Sequence, residues 1–138
     1  MSARATVEDY YEALRRGEPL YPYFAEEADA VKFGVGETLV GYDDIAEGLR
    51  EQTRTTTDWT VESDALRVVE RESHAAFADS VRMAWTDTER EIEYDFDTRW
   101  SGTLERRPTD DDPNRDETTD EWIFVGMHVS VAHITEEQ

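Results

Sequence analysis

Residues 121–134 read EWIFVGMHVSVAHI, and how this run divides between two faces decides the architecture. Strict alternation puts Trp122, Phe124, Gly126, His128 and Ser130 on one side. Ile123, Val125, Met127, Val129 and Val131 then share the other. Both sides are largely apolar, so both are expected to be covered. A chain of 138 residues supplies helices for only one side of its sheet. The second side calls for a partner, and the pattern predicts a homodimer built sheet against sheet through Ile123, Val125, Met127, Val129 and Val131.

On the first side, His128 stands with two bulky aromatics, a hydroxyl at Ser130 and a gap at Gly126. Such a face can line a pocket. The alternative is a histidine hydrogen-bonded inside a packed core.

Upstream, EIEYDFDTRWSGTLERR (91–107) alternates cleanly. Ile92, Tyr94, Phe96, Thr98, Trp100, Gly102 and Leu104 face one way, against a charged and hydroxylic opposite side, so this strand is wet on one face. DWTVESDALRVVER and HAAFADSVRMAWT complete four long runs of period-two character. The break between the last two runs, residues 108–120, is PTDDDPNRDETTD and reads as an exposed acidic hairpin loop. Before the strands come helices. Thr6 and Asp9 form a capping box at the start of one helix, whose stripe is Val7, Tyr10, Tyr11 and Leu14 and whose end is Gly17 with Pro19. LYPYFAEEA reads as a short aromatic helix, DAVKFGV and GETLVG as two brief strands. A last helix starts at Asp43 or Asp44, shows Ile45 and Leu49, and fades in TRTTT. The order predicts one α+β domain over 1–138, a strongly curved antiparallel sheet of four long strands plus short ones around two to three N-terminal helices.

Composition bounds the function. Four Trp, six Tyr and five Phe argue for a folded core despite a net charge of −20. Acids number 34 and are spread along the chain, whereas Lys32 is the only lysine among 14 basic residues. That balance fits a protein adapted to a salt-loaded cytoplasm, as in haloarchaea, because molar salt shortens the Debye length to ~3 Å and screens self-repulsion. Nucleic acid is excluded as a partner for want of basic surface. No apolar run approaches the ~20 residues of a membrane span, and no leader is evident, so a cytoplasmic location is expected. With no cysteine, thiol chemistry and thiolate metal sites are excluded. His128 and His133 are five apart, on opposite faces of a regular strand, and His74 borders a turn, so neither a metal nor another cofactor is expected. FGVGETLVG misses the dinucleotide fingerprint and reads as a turn. Arg99 lies beside Asp97 and reads as half of a solvated ion pair.

The run RWSGTLERR, a variable loop, then EWIFVGMHVS with Trp122, Val125, His128 and Ser130 resembles the SnoaL-like branch of the nuclear transport factor 2-like superfamily. YYEALRRGE and VKFGVGETLVGYDDIAEGL follow that family's order of elements, so the resemblance covers nearly the whole chain. It implies a bent sheet forming a cone with a cavity open at one end, commonly within a dimer. It implies no single activity, since members isomerise, cyclise, dehydrate, hydrolyse or only bind and assemble. Many relatives carry a second polar residue where Gly126 stands here.

In isomerase-type members a carboxylate in an apolar pocket removes a proton beside a carbonyl. Asp79 most resembles that group, since Phe77, Val81, Met83 and Trp85 share its face. His128 is the companion donor or base, with Ser130 orienting a ligand oxygen. Tyr23, Phe33, Trp59, Trp85, Trp100 and Phe124 are the candidate pocket walls. The expected function is binding of a small, mostly apolar carbonyl compound with cofactor-free acid–base chemistry on it. The alternatives are a non-catalytic binding or assembly module with a vestigial pocket, and a dimeric protein with a filled core, which a cavity under ~300 Å³ would favour.

Overall fold

The computed structural model describes residues 2–107 and 121–132, so the acidic loop 108–120 and His133 lie outside the described residues. Two helices pack on one sheet: α1 (Ala3–Arg16), a 3-10 turn (Tyr21–Tyr23), β1 (Val31–Gly34), β2 (Glu37–Val40), α2 (Tyr42–Thr55), β3 (Thr56–Ser63), β4 (Arg67–Glu70), β5 (His74–Asp87), β6 (Ile92–Arg107) and β7 (Glu121–Val131). Strand order is β2-β1-β7-β6-β5-β3, with β4 also on β5. All pairings are antiparallel except β1 with β7, which run parallel, so the sheet is mixed rather than wholly antiparallel. The run expected as one long strand over 58–71 divides into β3 and β4.

Helix α1 buries Val7, Tyr10, Tyr11 and Leu14, the stripe its spacing predicts. Its start differs: Ser2 is the N-cap, its hydroxyl accepting from the Ala5 N–H, and Thr6 sits one turn inside. Gly17 ends it with φ 68°, a left-handed conformation that glycine adopts without penalty. From α1, Tyr10 meets Tyr23, Phe24, Trp100 and Phe124 edge to face at 5.4–6.0 Å. The aromatic segment expected as a short helix is reduced to one 3-10 turn, after which Phe24 bridges to Phe124 of β7.

On β5 and β6 the alternation holds. Ala75, Phe77, Asp79, Val81 and Met83 face inward, as do Thr98, Trp100 and Leu104. On β7 it does not. Leu104 pairs with Phe124 but Thr103 with Gly126, so one extra β7 residue, Val125, forms a bulge. The inward set is Trp122 and Phe124 before the bulge, then Met127 and Val129 after it. A one-residue slip exchanges the faces of everything beyond it. Met127 and Val129, assigned above to a dimer face, are therefore buried in this chain's own core, and His128 is exposed on the outer face. Both halves of the run look apolar because the core takes alternate registers from it. The strand is close enough here to exclude a side chain from its neighbour: a Cβ on Gly102 would lie 2.4 Å from the Gly126 carbonyl oxygen and 2.7 Å from the Phe77 ring.

Candidate functional site

Asp79 lies 7% exposed at the centre of β5, and its carboxylate is fully engaged. One oxygen accepts from the Tyr11 hydroxyl at 2.8 Å and the Ser63 hydroxyl at 2.6 Å, the other from the Ala65 N–H at 3.0 Å. These bonds join α1, the end of β3 and the turn before β4. Burial first, then the bond to Asp79, keeps the Tyr11 hydroxyl protonated far above the usual tyrosine range. Arg15 reinforces the same junction by donating from Nε and Nη2 to the Val61 carbonyl at 3.0 and 2.8 Å.

His128 stands one strand away from this carboxylate, across β6, and the two residues border one open groove with Arg67, Arg99 and Ser130. Its side chain lies on the outer face, edge to face with Phe33 at 5.7 Å, and Phe33 itself is 41% exposed. Ser130 shares that face and accepts from Arg99 Nη2 at 3.3 Å. Asp79 and His128 thus present their side chains to opposite faces of the sheet, and the groove that both border, with Trp100 and Ser130, is open to solvent. Of the remaining expected walls, Phe124 is fully buried against Phe24 and Phe77, and Tyr23 packs on Tyr10. Neither opens onto free space in the interior.

The interior does hold a cavity, and Trp100, the cross-strand partner of Asp79, is one of its walls. Its volume is about 110 Å³. Tyr10, Trp59, Trp85 and Trp100 line it with Leu14, Met83 and Val129, and Lys32, Gly34, Val35, Glu37 and Gln52 complete its rim. Trp59 and Trp85 stack at 4.7 Å. Three of the expected walls, Trp59, Trp85 and Trp100, are therefore brought together.

The polar content of the cavity was not expected. Lys32 follows Met127 across the parallel pairing, so its side chain turns inward, and it is 7% exposed. Its ammonium donates to Glu37 Oε1 at 2.7 Å. Glu37, 35% exposed, reaches it by folding back over Gly34, its partner across the β1–β2 hairpin. A Cβ on Gly34 would stand 2.5 Å from Glu37 Oε1, so the missing side chain makes the passage. Tyr10, 2% exposed, makes no hydrogen bond through its hydroxyl among the described residues. Burial first and the Glu37 charge second hold that hydroxyl neutral far above the usual range. The cavity thus combines apolar walls, an ammonium, a carboxylate and an unengaged phenol. Among the described residues no cluster of His, Asp and Glu has metal-binding geometry, and no helix is long and apolar enough to cross a membrane.

The SnoaL-like domain family model matches residues 3–134. Among solved structures, the chain is similar to a candidate dehydratase of the NTF2-like family from Streptomyces avermitilis, with TM-score 0.77, 12% identity and 96% and 95% of the two chains covered. It is similar to an NTF2-like superfamily protein from Salmonella enterica, with TM-score 0.74, 17% identity and 96% and 90% covered. It is also similar to a ketosteroid isomerase-like protein from Erwinia carotovora, with TM-score 0.70, 17% identity and 95% and 94% covered. At these identities the likeness is one of fold. No curated protein sequence matches the chain.

Proposed function

The chain belongs to the SnoaL-like domain family, and from that premise we propose that it binds a small carbonyl compound in the cone cavity and performs cofactor-free acid–base chemistry on it. The observation that carries this is the Lys32–Glu37 pair set at 2.7 Å on the rim of an aromatic-walled cavity. An ammonium can receive a carbonyl oxygen, the Tyr10 hydroxyl offers a second donor, and the carboxylate can accept a proton. Asp79 we assign to architecture, because its three bonds leave it no role in the cavity. His128 serves the outer face.

At about 110 Å³ the cavity suits one ring and no more. This volume also favours a filled-core protein without ligand. Against that stands the polar content: a core packed for stability alone gains nothing from enclosing an ammonium beside an unengaged phenol. Titration with acetophenone at molar salt, read by tryptophan fluorescence, decides between them. Binding gives a saturable change that Trp59→Leu weakens; a linear response for every one-ring ketone would establish the filled core.

For assembly we propose a homodimer through the outer face, on different grounds from the apolar stripe. Val31, Phe33, Ala76, Ala78, Ser101 and Gly126 lie outward there, with Arg67, Arg99 and His128 among them, and the acids Asp97 and Glu105 stand only at the next outward positions of β6. A chain of net charge −20 can meet its copy with least repulsion on that band. The evenly spread acids further support operation in molar salt; dialysis into millimolar buffer is expected to unfold the protein, and a cooperative native state there would refute it.

A further inference from the structure

We infer that Lys32 is a nucleophile, forming an imine with a one-ring aldehyde or ketone, and that Glu37 shuttles the protons. This rests on the cavity being a ligand site.

Three observations converge. Lys32 is the only lysine in a chain that elsewhere places arginine at every basic position. Arginine could make the same ion pair and would do so with a more rigid fork, but it cannot give up its proton, whereas a lysine in an enclosed site can become an amine nucleophile. The side chain is buried beside Trp and Tyr rings, where water competes little for an electrophilic carbon. Glu37 stands at 2.7 Å, half open to solvent, in a passage that Gly34 keeps clear. A purely structural bridge across the hairpin needs neither burial of the lysine nor a cavity at its tip.

The ammonium first passes a proton to Glu37. The freed nitrogen pair attacks the carbonyl carbon, and the C=O π pair moves to oxygen, which takes the proton back from Glu37. Glu37 then removes a second N–H proton and delivers it to the carbinolamine hydroxyl. That group leaves as water while the nitrogen pair forms C=N. The net change is ammonium plus carbonyl giving iminium plus water, with Glu37 returned as carboxylate. The iminium acidifies the neighbouring C–H, and the same carboxylate is placed to take that proton, which gives the acid–base chemistry a covalent route.

The test uses the full chain, benzaldehyde and sodium cyanoborohydride as the trapping reductant, with labelling located by peptide mass mapping. Benzyl alcohol, which cannot form an imine, reports pocket occupancy by tryptophan fluorescence. Lys32 is expected to become benzylated at least tenfold faster than Nα-acetyl-lysine under the same conditions. Glu37→Gln should slow this at least tenfold while keeping the benzyl alcohol response, and Lys32→Arg should show no label at that position. Labelling no faster than Nα-acetyl-lysine, with benzyl alcohol still bound, overturns the nucleophile and leaves the pocket standing. Glu37→Gln labelling at the native rate overturns the proton shuttle. Loss of both signals in the native chain overturns the pocket as well.

Discussion

Among the described residues the interior contains two charged positions, Asp79 and Lys32, and they are built differently. Asp79 has every bond accounted for by α1, β3 and the turn before β4. Lys32 has one partner, a half-exposed carboxylate, and free space beside it. A carboxylate saturated by fixed donors is a clasp, since any proton transfer would cost it those bonds. An ion pair beside a cavity retains donor capacity that a ligand can use. Burial alone does not separate the two; the hydrogen-bond account does.

The contrast is broken most directly by mutation. Asp79→Ala should cost about 3 kcal/mol or more in urea denaturation, because it strands the Tyr11 and Ser63 hydroxyls and the Ala65 N–H. Lys32→Met should cost no more than about 1 kcal/mol, since Glu37 can turn to water and the methionine fills similar volume. Equal losses at the two positions would remove the distinction drawn here.

A second comparison lies in the two glycines flanking the β7 bulge. Gly102→Ala should destabilise by roughly 2 kcal/mol, because its Cβ would enter the Gly126 carbonyl and the Phe77 ring. Gly126→Ala should be near neutral, within about 0.5 kcal/mol, as nothing lies within 4 Å of its added carbon. Thermal melts of the two variants sharpen the bulge assignment, and a reversed order would place it elsewhere.

The last effect is in alkali. Tyr11 is held protonated in the folded chain, by burial first and then by its bond to Asp79, while unfolded tyrosine ionises near 10.0. The folded state therefore binds more protons above that pH. Stability from this group is complete below about pH 10 and falls as pH rises past it, by at most about 1.4 kcal/mol per pH unit. Tyr11→Phe should flatten part of that slope in denaturation midpoints measured from pH 9 to 11.

Much of the architecture was legible because its signals are local and repeated. The α1 stripe of Val7, Tyr10, Tyr11 and Leu14 and the alternation of β5 and β6 survive intact. The inward aspect of Asp79 among Phe77, Val81 and Met83 followed from that alternation. His128 was misplaced because one bulged residue resets the parity of a strand, and parity has no memory of composition. Gly126 carried the warning: an isolated glycine inside a strand pattern marks a bulge as readily as a gap. Two glycines, Gly102 and Gly126, adjacent across strands are legible only once pairing is known. The cavity escaped for a different reason. Lys32 and Glu37 sit on a short hairpin whose first strand, β1, pairs in parallel with β7 and so joins segments nearly a hundred residues apart in sequence, which no local pattern encodes. The one available signal was compositional, a solitary lysine in a chain that otherwise uses arginine.

That solitary lysine also supplies the most direct measurement. Labelling with lysine carrying nitrogen-15 at Nζ yields a single side-chain resonance, and histidine ring protons report the outer face in the same sample. Titrated with acetophenone, the Lys32 resonance should move saturably while the His128 ring signals stay fixed. A moving His128 signal beside an unchanged Lys32 would put the ligand on the outer face and contradict the interior site.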